Sequence, residues 1–264
     1  MKIASWNVNS VKARLPTVLR WLQQSAPDVA CFQEIKTPED GFPTEAFREL
    51  GYNCAVYGQK SYNGVAILSK RPIEVVRRGL PGGNGDDHAR YIEAVIPADQ
   101  GGVVRVASVY IPNGNPPDSE KFPYKLDWYE RLNRHCRDLL ALEEPMVIGG
   151  DYNVIPTPGD CHDPKAWEGD ALYRPETRAS FRRICNLGFT DAFRACHSET
   201  HRYTFWDYQA GAWQKDHGIR IDFLLLSPQA TDLLKGCGIE RDVRNWEKPS
   251  DHVPVVCELG ARGA

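Results

Sequence analysis

Six short motifs bearing carboxylate or carboxamide side chains punctuate this 264-residue chain from end to end: SWNVNS at 5–10, QE at 33–34, YIPN at 110–113, GDYN at 150–153, RID at 220–222 and SDH at 250–252. Each adjoins a run that reads as a β-strand, and this constrains the fold more than any bulk property. Polar groups at the ends of strands distant in sequence converge only where the strands lie side by side and one sheet edge gathers them into a pocket. The apolar runs at 3–6, 29–32, 103–109, 146–148, 223–226 and 253–257 are rich in Val, Ile and Phe, but too short for periodicity alone to exclude a helix. Their flanks decide it, because Pro112, Gly149 with Gly150, and Ser227 with Pro228 are turn signals that would cut a helix short.

Between some of these strands the apolar residues recur at helical spacing. Leu15, Val18, Leu19 and Leu22 predict a helix over 15–24; Trp128, Leu132, Leu139 and Leu142 predict one over 127–142, stopped by Pro145. A third is expected over 175–187, with Pro175 near N1 and Gly188 at C′, and a short fourth over 231–235. Helices alternate with strands early, whereas the middle and the C-terminus hold clustered strands. This pattern predicts an α/β sandwich with mixed sheets in place of a purely parallel doubly wound sheet. No Gly/Ser-rich or Pro-rich linker divides residues 1–264, so one domain is expected. A short internal echo, residues 3–9 against 146–153, pairs two strands that both end in an aromatic and an asparagine.

Composition excludes several classes. No apolar run approaches the length of a membrane span, and MKIASWNVNS enters a strand directly without the apolar stretch of a signal peptide, so a cytoplasmic enzyme with no membrane association is expected. The eight cysteines form no CxxC pair and several lie inside apolar strands, which favours buried free thiols over disulfides or zinc ligands. The net charge of −3 argues against a strongly basic nucleic-acid binder. Net charge averages over faces, however, and Lys12, Arg14, Lys60, Arg90, Lys121 and Lys125, with four arginines between 174 and 183, would line a groove if they shared a face.

Glu34 and Asp251 at strand ends, with Asn7 and Asn9, offer hard oxygen ligands and no thiolate or histidine cluster. That donor mixture suits Mg²⁺, or Mn²⁺, at about 2.1 Å. Asp151 follows a strand and a Gly-Gly pair and is a candidate to orient or deprotonate a water, with Asn153 placed to hydrogen-bond an oxyanion. His252 would face the opposite side from Asp251 if a strand has begun there. For His252 to act on a phosphate, an acid should hold its other ring nitrogen, and Asp222 is the best candidate.

Taken together, SWNVNSVKAR, FQEIK, YGQKSYNGVAILS, VYIPN, GGDYNV, TFWDY, RIDFLLLS and SDHVPV, in this order from residue 5 to 256, resemble the exonuclease III family of apurinic/apyrimidinic endonucleases, within the endonuclease/exonuclease/phosphatase superfamily. The resemblance implies a four-layered sandwich, two packed mixed β-sheets flanked by helices. It implies Glu34 as principal Mg²⁺ ligand with Asn7, Asn9 and Asp251 nearby, and a possible second ion at Asp151 and Asn153. It implies Asp151 and Asn153 positioning the water, Tyr110 and Asn113 holding the scissile phosphate, and Asp222 paired with His252. The implied partner is double-stranded DNA with abasic sites or damaged 3′ ends, and the implied state a monomer. The reaction would cleave 5′ to the abasic sugar or remove 3′ blocking groups and nucleotides.

Within residues 202–220, aromatics alternate with cations. By the same resemblance Phe205, Trp206 and Ile221 line a pocket for an extruded abasic sugar and Ile219 stands where some relatives carry Trp; the equal alternative is that Phe205 and Trp206 are simply core. Trp213 and Gln209 are candidate duplex contacts, and Lys60 and Arg90 candidate contacts to DNA or the pocket. Two departures bear on selectivity. GNPPDSEK after YIPN lacks a basic residue that some relatives insert into the groove, and the 158–173 loop is unusual. The alternative reading is a phosphodiesterase or phosphatase of the same superfamily acting on phosphoinositides or sphingomyelin, which should lack RYTFWDY. A non-enzymatic DNA-binding module would have no need of Glu34, Asp151 and His252 together.

Overall fold

The computed structural model describes residues 1–98 and 101–260. The first half of the chain forms β1 (Lys2–Asn7), α1 (Leu15–Ser25), β2 (Val29–Gln33), α2 (Thr44–Arg48), β3 (Asn53–Tyr57), β4 (Val65–Ser69), β5 (Glu74–Arg78), β6 (Tyr91–Pro97) and β7 (Val103–Tyr110). The second half adds α3 (Lys121–Leu140), β8 (Met146–Asp151), α4 (Pro175–Asn186), β9 (Thr190–Asp191), α5 (Ala192–Cys196), β10 (Asp222–Leu226), α6 (Pro228–Thr231), β11 (Leu234–Ile239) and β12 (Val255–Leu259).

The strands make two six-stranded mixed sheets, ordered β11-β12-β1-β2-β4-β3 and β5-β6-β7-β8-β10-β9. Each sheet has one parallel pair near its centre, β1 with β2 and β7 with β8, and the pairs around it are antiparallel. The two strands of the internal echo, β1 and β8, thus hold matching places in the two sheets. Ile3, Val29, Ile67, Ile92, Val106, Val147 and Leu224 fill the layer between the sheets. Trp21, Leu22 and Phe47 cover the outer face of the first sheet from α1 and α2, and Trp128, Leu132, Phe181 and Ile184 cover the second from α3 and α4. The result is the four-layered sandwich expected.

Local chemistry accounts for most element ends. Pro175 opens α4, and Gly188, with φ +123°, follows its C-cap Leu187. Two helices differ from the periodic reading. α3 starts at Lys121 and not near 127, because Phe122 and Lys125 are buried in its first turns, and a buried lysine reads as polar in a periodicity count. The short fourth helix lies at 228–231, where the Ser227 hydroxyl caps it and Pro228 sits in its first turn; residues 234–239 continue as β11. Gly149 and Gly150 lie inside β8 and make no turn. Among the described residues, no helix is long and apolar enough to cross a membrane.

Candidate active site

Register places the acids. Tyr110 at the end of β7, Asp151 at the end of β8 and Asp222 at the start of β10 lie side by side across the second sheet. Asn7 ends β1 of the first sheet, opposite Gln33, and Glu34 follows directly. The two sheet ends meet at one amide, since Asn7 Nδ2 donates to Glu34 Oε1 at 2.9 Å and to Asp151 Oδ2 at 2.9 Å.

Asn9, Glu34 and Asn153 all have left-handed backbones, with φ of 43°, 50° and 45°. Asparagine tolerates this region, whereas for glutamate it costs on the order of 1–2 kcal/mol. Backbone bonds hold the strained turn: Val8 N to Gln33 O at 3.1 Å, Ser10 N to Glu34 O at 2.7 Å and Ile35 N to Gly64 O at 3.2 Å. The strain thus aims Glu34 off the end of β2 toward the second sheet.

His252 is buried, its Nδ1 lies 2.9 and 3.1 Å from the two Asp222 oxygens, and its Nε2 is 3.8 Å from Asp151 Oδ2. Burial pulls the imidazole down, but the Asp222 charge and hydrogen bond, then the Asp151 charge, raise it to about 10. Burial pushes Asp151 up to about 7, opposed by the His252 charge and reinforced by Asp222. Glu34 is likewise pushed up by burial, yet the Lys36 ammonium and the Asn7 amide outweigh this and hold it below its usual range. Burial, with the charges of Glu34 and Asp151, keeps the Tyr110 phenol well above its ordinary value, so it remains a hydroxyl. The strand on which the alternation of Asp251 and His252 would depend has not begun there, because β12 starts only at Val255, and the two side chains take different partners. Asp251 Oδ1 accepts from Asn9 Nδ2 at 3.0 Å, while His252 forms an isolated bridge with Phe205.

The donor set fits a hard divalent cation. Glu34 and Asp151 offer carboxylate oxygens within 4.8 Å of each other, with His252, cationic and so not itself a ligand, equally close. Glu34 Oε2 and Asn9 Oδ1 converge on one positive charge, the Lys36 ammonium, at 2.9 and 2.6 Å. Oxygen atoms focused in this way are what Mg²⁺ requires. The Asn7 oxygen is already taken by the Asn9 backbone N–H at 3.0 Å.

Beyond the ends of β7 and β8, Asn153 N donates to Asp151 Oδ1 at 2.9 Å and Asn153 Nδ2 to Ile111 O at 2.8 Å, while Asn113 Nδ2 donates to Asn153 Oδ1 at 3.2 Å. The Arg90 guanidinium lies 4.7 Å from the Tyr110 ring centroid and donates to Tyr110 O at 3.2 Å, so it borders the site. Lys60 is exposed, and its side chain makes no hydrogen bond or ion pair among the described residues.

The aromatic loop divides between the two alternatives the sequence left open. Phe205 is half-buried and edge-on to His252, with centroids 4.9 Å apart, which puts it at the site. Trp206 has no exposed surface: it packs with Tyr203, Ala212 and Val253, and its Nε1 donates to Asp216 Oδ1 at 2.9 Å. In this arrangement it is a core residue and presents no face to a nucleotide. Ile221 is also buried, clustered with Ile155, Cys161, Leu172 and Ile219 beneath Phe205. Gln209 is exposed and Trp213 is half-buried, its Nε1 donating to Asn245 Oδ1 at 2.9 Å.

Several supporting residues escaped the sequence reading. Lys36 stands two positions after Glu34 within FQEIK, and that spacing was its only signal. Thr204 Oγ1 accepts from the backbone N–H of Ile221 and Asp222 at 3.1 and 3.2 Å, fixing the acid behind His252. Buried Arg220 binds Asp160 and Asp191, each at 2.7 Å, and Arg194 joins Asp160 at 2.7 Å, clamping the start of the 158–173 loop beneath the RID motif. Lys125, counted above among possible groove cations, is fully buried.

A family model described as the endonuclease/exonuclease/phosphatase family matches residues 4–252. The chain is 34% identical over 267 residues to exodeoxyribonuclease III of Haemophilus influenzae, covering 98% of this chain and 100% of that protein. Among solved structures, an AP endonuclease from Archaeoglobus fulgidus has a TM-score of 0.93 at 36% identity, covering 99% of this chain and 100% of that one. The 3′ phosphatase NExo from Neisseria, bound to a product DNA hairpin, has a TM-score of 0.94 at 38% identity, again with 99% and 100% covered.

Proposed function

This chain belongs to the endonuclease/exonuclease/phosphatase family, and from that premise we propose that it is a Mg²⁺-dependent DNA repair nuclease that hydrolyses the phosphodiester 5′ to abasic sites and removes 3′ blocking groups or nucleotides from duplex DNA. The observation that carries the reading is the Asp222–His252–Asp151 line at one end of the second sheet, joined through Asn7 to Glu34 of the first.

Glu34 is the principal group for the metal, with Asn7, Asn9 and Asp251 around it; a bound Mg²⁺ would neutralise charge developing on the phosphate and orient its oxygens. Asp151, raised toward neutrality by burial, accepts a proton from the attacking water, and Asn153 helps place that water. His252, held cationic by Asp222, donates from Nε2 to a phosphate oxygen. Tyr110 donates its retained hydroxyl proton and Asn113 its amide to the same group. Phe205 bounds the space beside His252 where a baseless sugar fits at little unstacking cost. We assign the enzyme to the cytoplasm, acting as a monomer.

The test uses two end-labelled duplexes, one with a central tetrahydrofuran abasic analogue and one with a recessed 3′ end, each with Mg²⁺ or EDTA and beside a Glu34→Ala control. Metal-dependent incision 5′ to the analogue, lost in the control, supports the abasic endonuclease; shortening of the recessed end alone makes it chiefly a 3′ exonuclease. Cleavage of neither duplex refutes the proposal.

A further inference from the structure

Arg14 is the N-cap of α1, and its side chain makes no capping bond there. Helix N-caps favour Ser, Thr, Asn or Asp, whose side chains satisfy the first free N–H groups, and a cation opposes the positive end of the helix dipole. The helix therefore gains nothing from this arginine. Its guanidinium turns toward the site instead: Nη1 donates to Asn9 O, and Nη2 donates to the Tyr208 hydroxyl at 3.0 Å.

Tyr208 is 48% exposed, yet it is held by both its hydroxyl and its ring. The hydroxyl donates to Pro249 O at 2.9 Å, and the ring centroid lies 5.9 Å from the Arg14 guanidinium carbon and 5.0 Å from that of Arg244. Pro249 leads directly into Ser250 and Asp251. The Tyr208 bond thus extends a short antiparallel pairing in which Val253 N donates to Thr204 O at 2.8 Å and Trp206 N to Asp251 O at 2.9 Å.

Arg14 carries this pairing across to the end of β1. There Asn9 and Ser10 have consecutive left-handed backbones, with φ of 43° and 82°. Asparagine accepts this region and serine seldom does, so the turn persists only where its surroundings hold it. The Asn9 carbonyl is the point at which Arg14 holds it. From the same turn Asn9 Nδ2 donates to Asp251 Oδ1 at 3.0 Å, and Ser250 Oγ donates back to Asn7 O at 2.7 Å. Both ends of the link made by Arg14 and Tyr208 therefore close on the turns that bear Asn9 and Asp251.

We propose that Arg14 and Tyr208 are positioning residues for the metal: as one strap from the Asn9 turn to the 249–251 turn, they hold Asn9 and Asp251 in place for a divalent cation. The inference rests on the metal-dependent reading above. Charge alone predicts the opposite sign, because removing Arg14 takes a positive charge away from the site and should tighten cation binding, whereas losing the strap weakens it.

Mn²⁺ binding is measured without DNA, by electron paramagnetic resonance of the free ion, in wild type, Arg14→Met, Tyr208→Phe and the double variant, with thermal melts in EDTA. Lys12→Met, which removes an exposed cation two residues before Arg14, reports the charge effect alone. Arg14→Met and Tyr208→Phe should each weaken the Mn²⁺ Kd about tenfold or more, and the double variant should fall within about threefold of the weaker single, since both break one link. Lys12→Met should leave Kd unchanged or tighten it. Each variant should melt within about 4 °C of wild type, the shift expected for one hydrogen bond.

An unchanged or tighter Kd in Tyr208→Phe, additive losses in the double variant, or a Lys12→Met enzyme as weak as Arg14→Met overturns the inference. If Arg14→Met does not fold, Tyr208→Phe decides alone, since it keeps the ring and both arginines. A wild type that binds no Mn²⁺ instead defeats the metal reading, and this inference with it.

Discussion

Gly150→Ala offers the sharpest test of how the site is built. Gly150 pairs with Val109 across the parallel strands β8 and β7, one residue before Asp151 and Tyr110, which pair in turn. A Cβ at Gly150 would lie 2.1 Å from the Val109 carbonyl oxygen and 2.4 Å from Val109 Cγ2. Real Cβ contacts do not fall below 3.0 Å, so the strands must part by at least 3.0 − 2.1 = 0.9 Å at this point. The obstacle is backbone and cannot rotate away. Overpacking of this kind costs about 1–3 kcal/mol, which for a domain of this size lowers Tm by roughly 3–10 °C. The larger effect falls on catalysis, because a shift of about 1 Å between Asp151 and Tyr110 is expected to lower kcat about 100-fold with a smaller change in KM. Gly149→Ala is the milder comparison, its Cβ meeting Leu224 Cδ2 at 3.0 Å and Ser5 Cβ at 3.1 Å, contacts relieved by a shift of a few tenths of an ångström. Thermal melts and steady-state hydrolysis of the abasic duplex measure both variants. A Gly150→Ala enzyme within about 2 °C and threefold of wild type would refute the reasoning that strand spacing sets the site.

Three other sites carry consequences of the same kind. Asp222→Asn removes the largest force raising His252, so the imidazole should lose its proton near neutrality, lowering kcat by about 10²–10³ and moving the alkaline limb of the pH–rate profile to lower pH; an unmoved limb argues against His252 as the cation. Glu93 is buried against Arg105, His135 and Tyr91, at 2.6, 2.8 and 2.7 Å. Burial pushes this carboxyl up, but the His135 and Tyr91 hydrogen bonds, with Arg105, bring it down to about 2. Its folded value is thus depressed below the unfolded value of about 4.3, so it contributes about 2–3 kcal/mol that is present above that pH and lost as pH falls through about 2. Urea melts across this window should show a limb that Glu93→Gln abolishes. Trp206→Ala should cost about 3–5 kcal/mol in stability while leaving DNA affinity of the folded protein unchanged, whereas Phe205→Ala should weaken abasic selectivity with little loss of Tm; the reverse pattern, read by anisotropy and melting, would return Trp206 to the pocket.

Residues with a chemical reason to stand at strand ends were legible in the sequence. Asp222 could be named as the partner of His252 because a functional histidine needs an acid behind it, and Nδ1 lies 2.9 Å from that acid. The strands around the site were less legible. β3, β4, β5, β6 and β11 escaped the periodic reading because burial on both faces, or an exposed edge, removes the alternation that marks a strand. Trp206 could be read either way, because an aromatic in a polar loop suits a pocket or the core until packing shows Tyr203, Ala212 and Val253 around it.

The order of the polar motifs and the types of their side chains already determined, from the sequence alone, an oxygen-rich site at the ends of β-strands in an α/β sandwich, because these depend on local spacing and on chemistry that each residue carries with it. Tertiary structure alone decided that Asn7 joins the two sheets, that Lys36 stands between Glu34 and Asn9, and that Lys125 points inward to three carbonyls and not outward to DNA. Those facts depend on register and on burial between segments tens of residues apart, and a side chain's charge does not reveal which way packing will turn it.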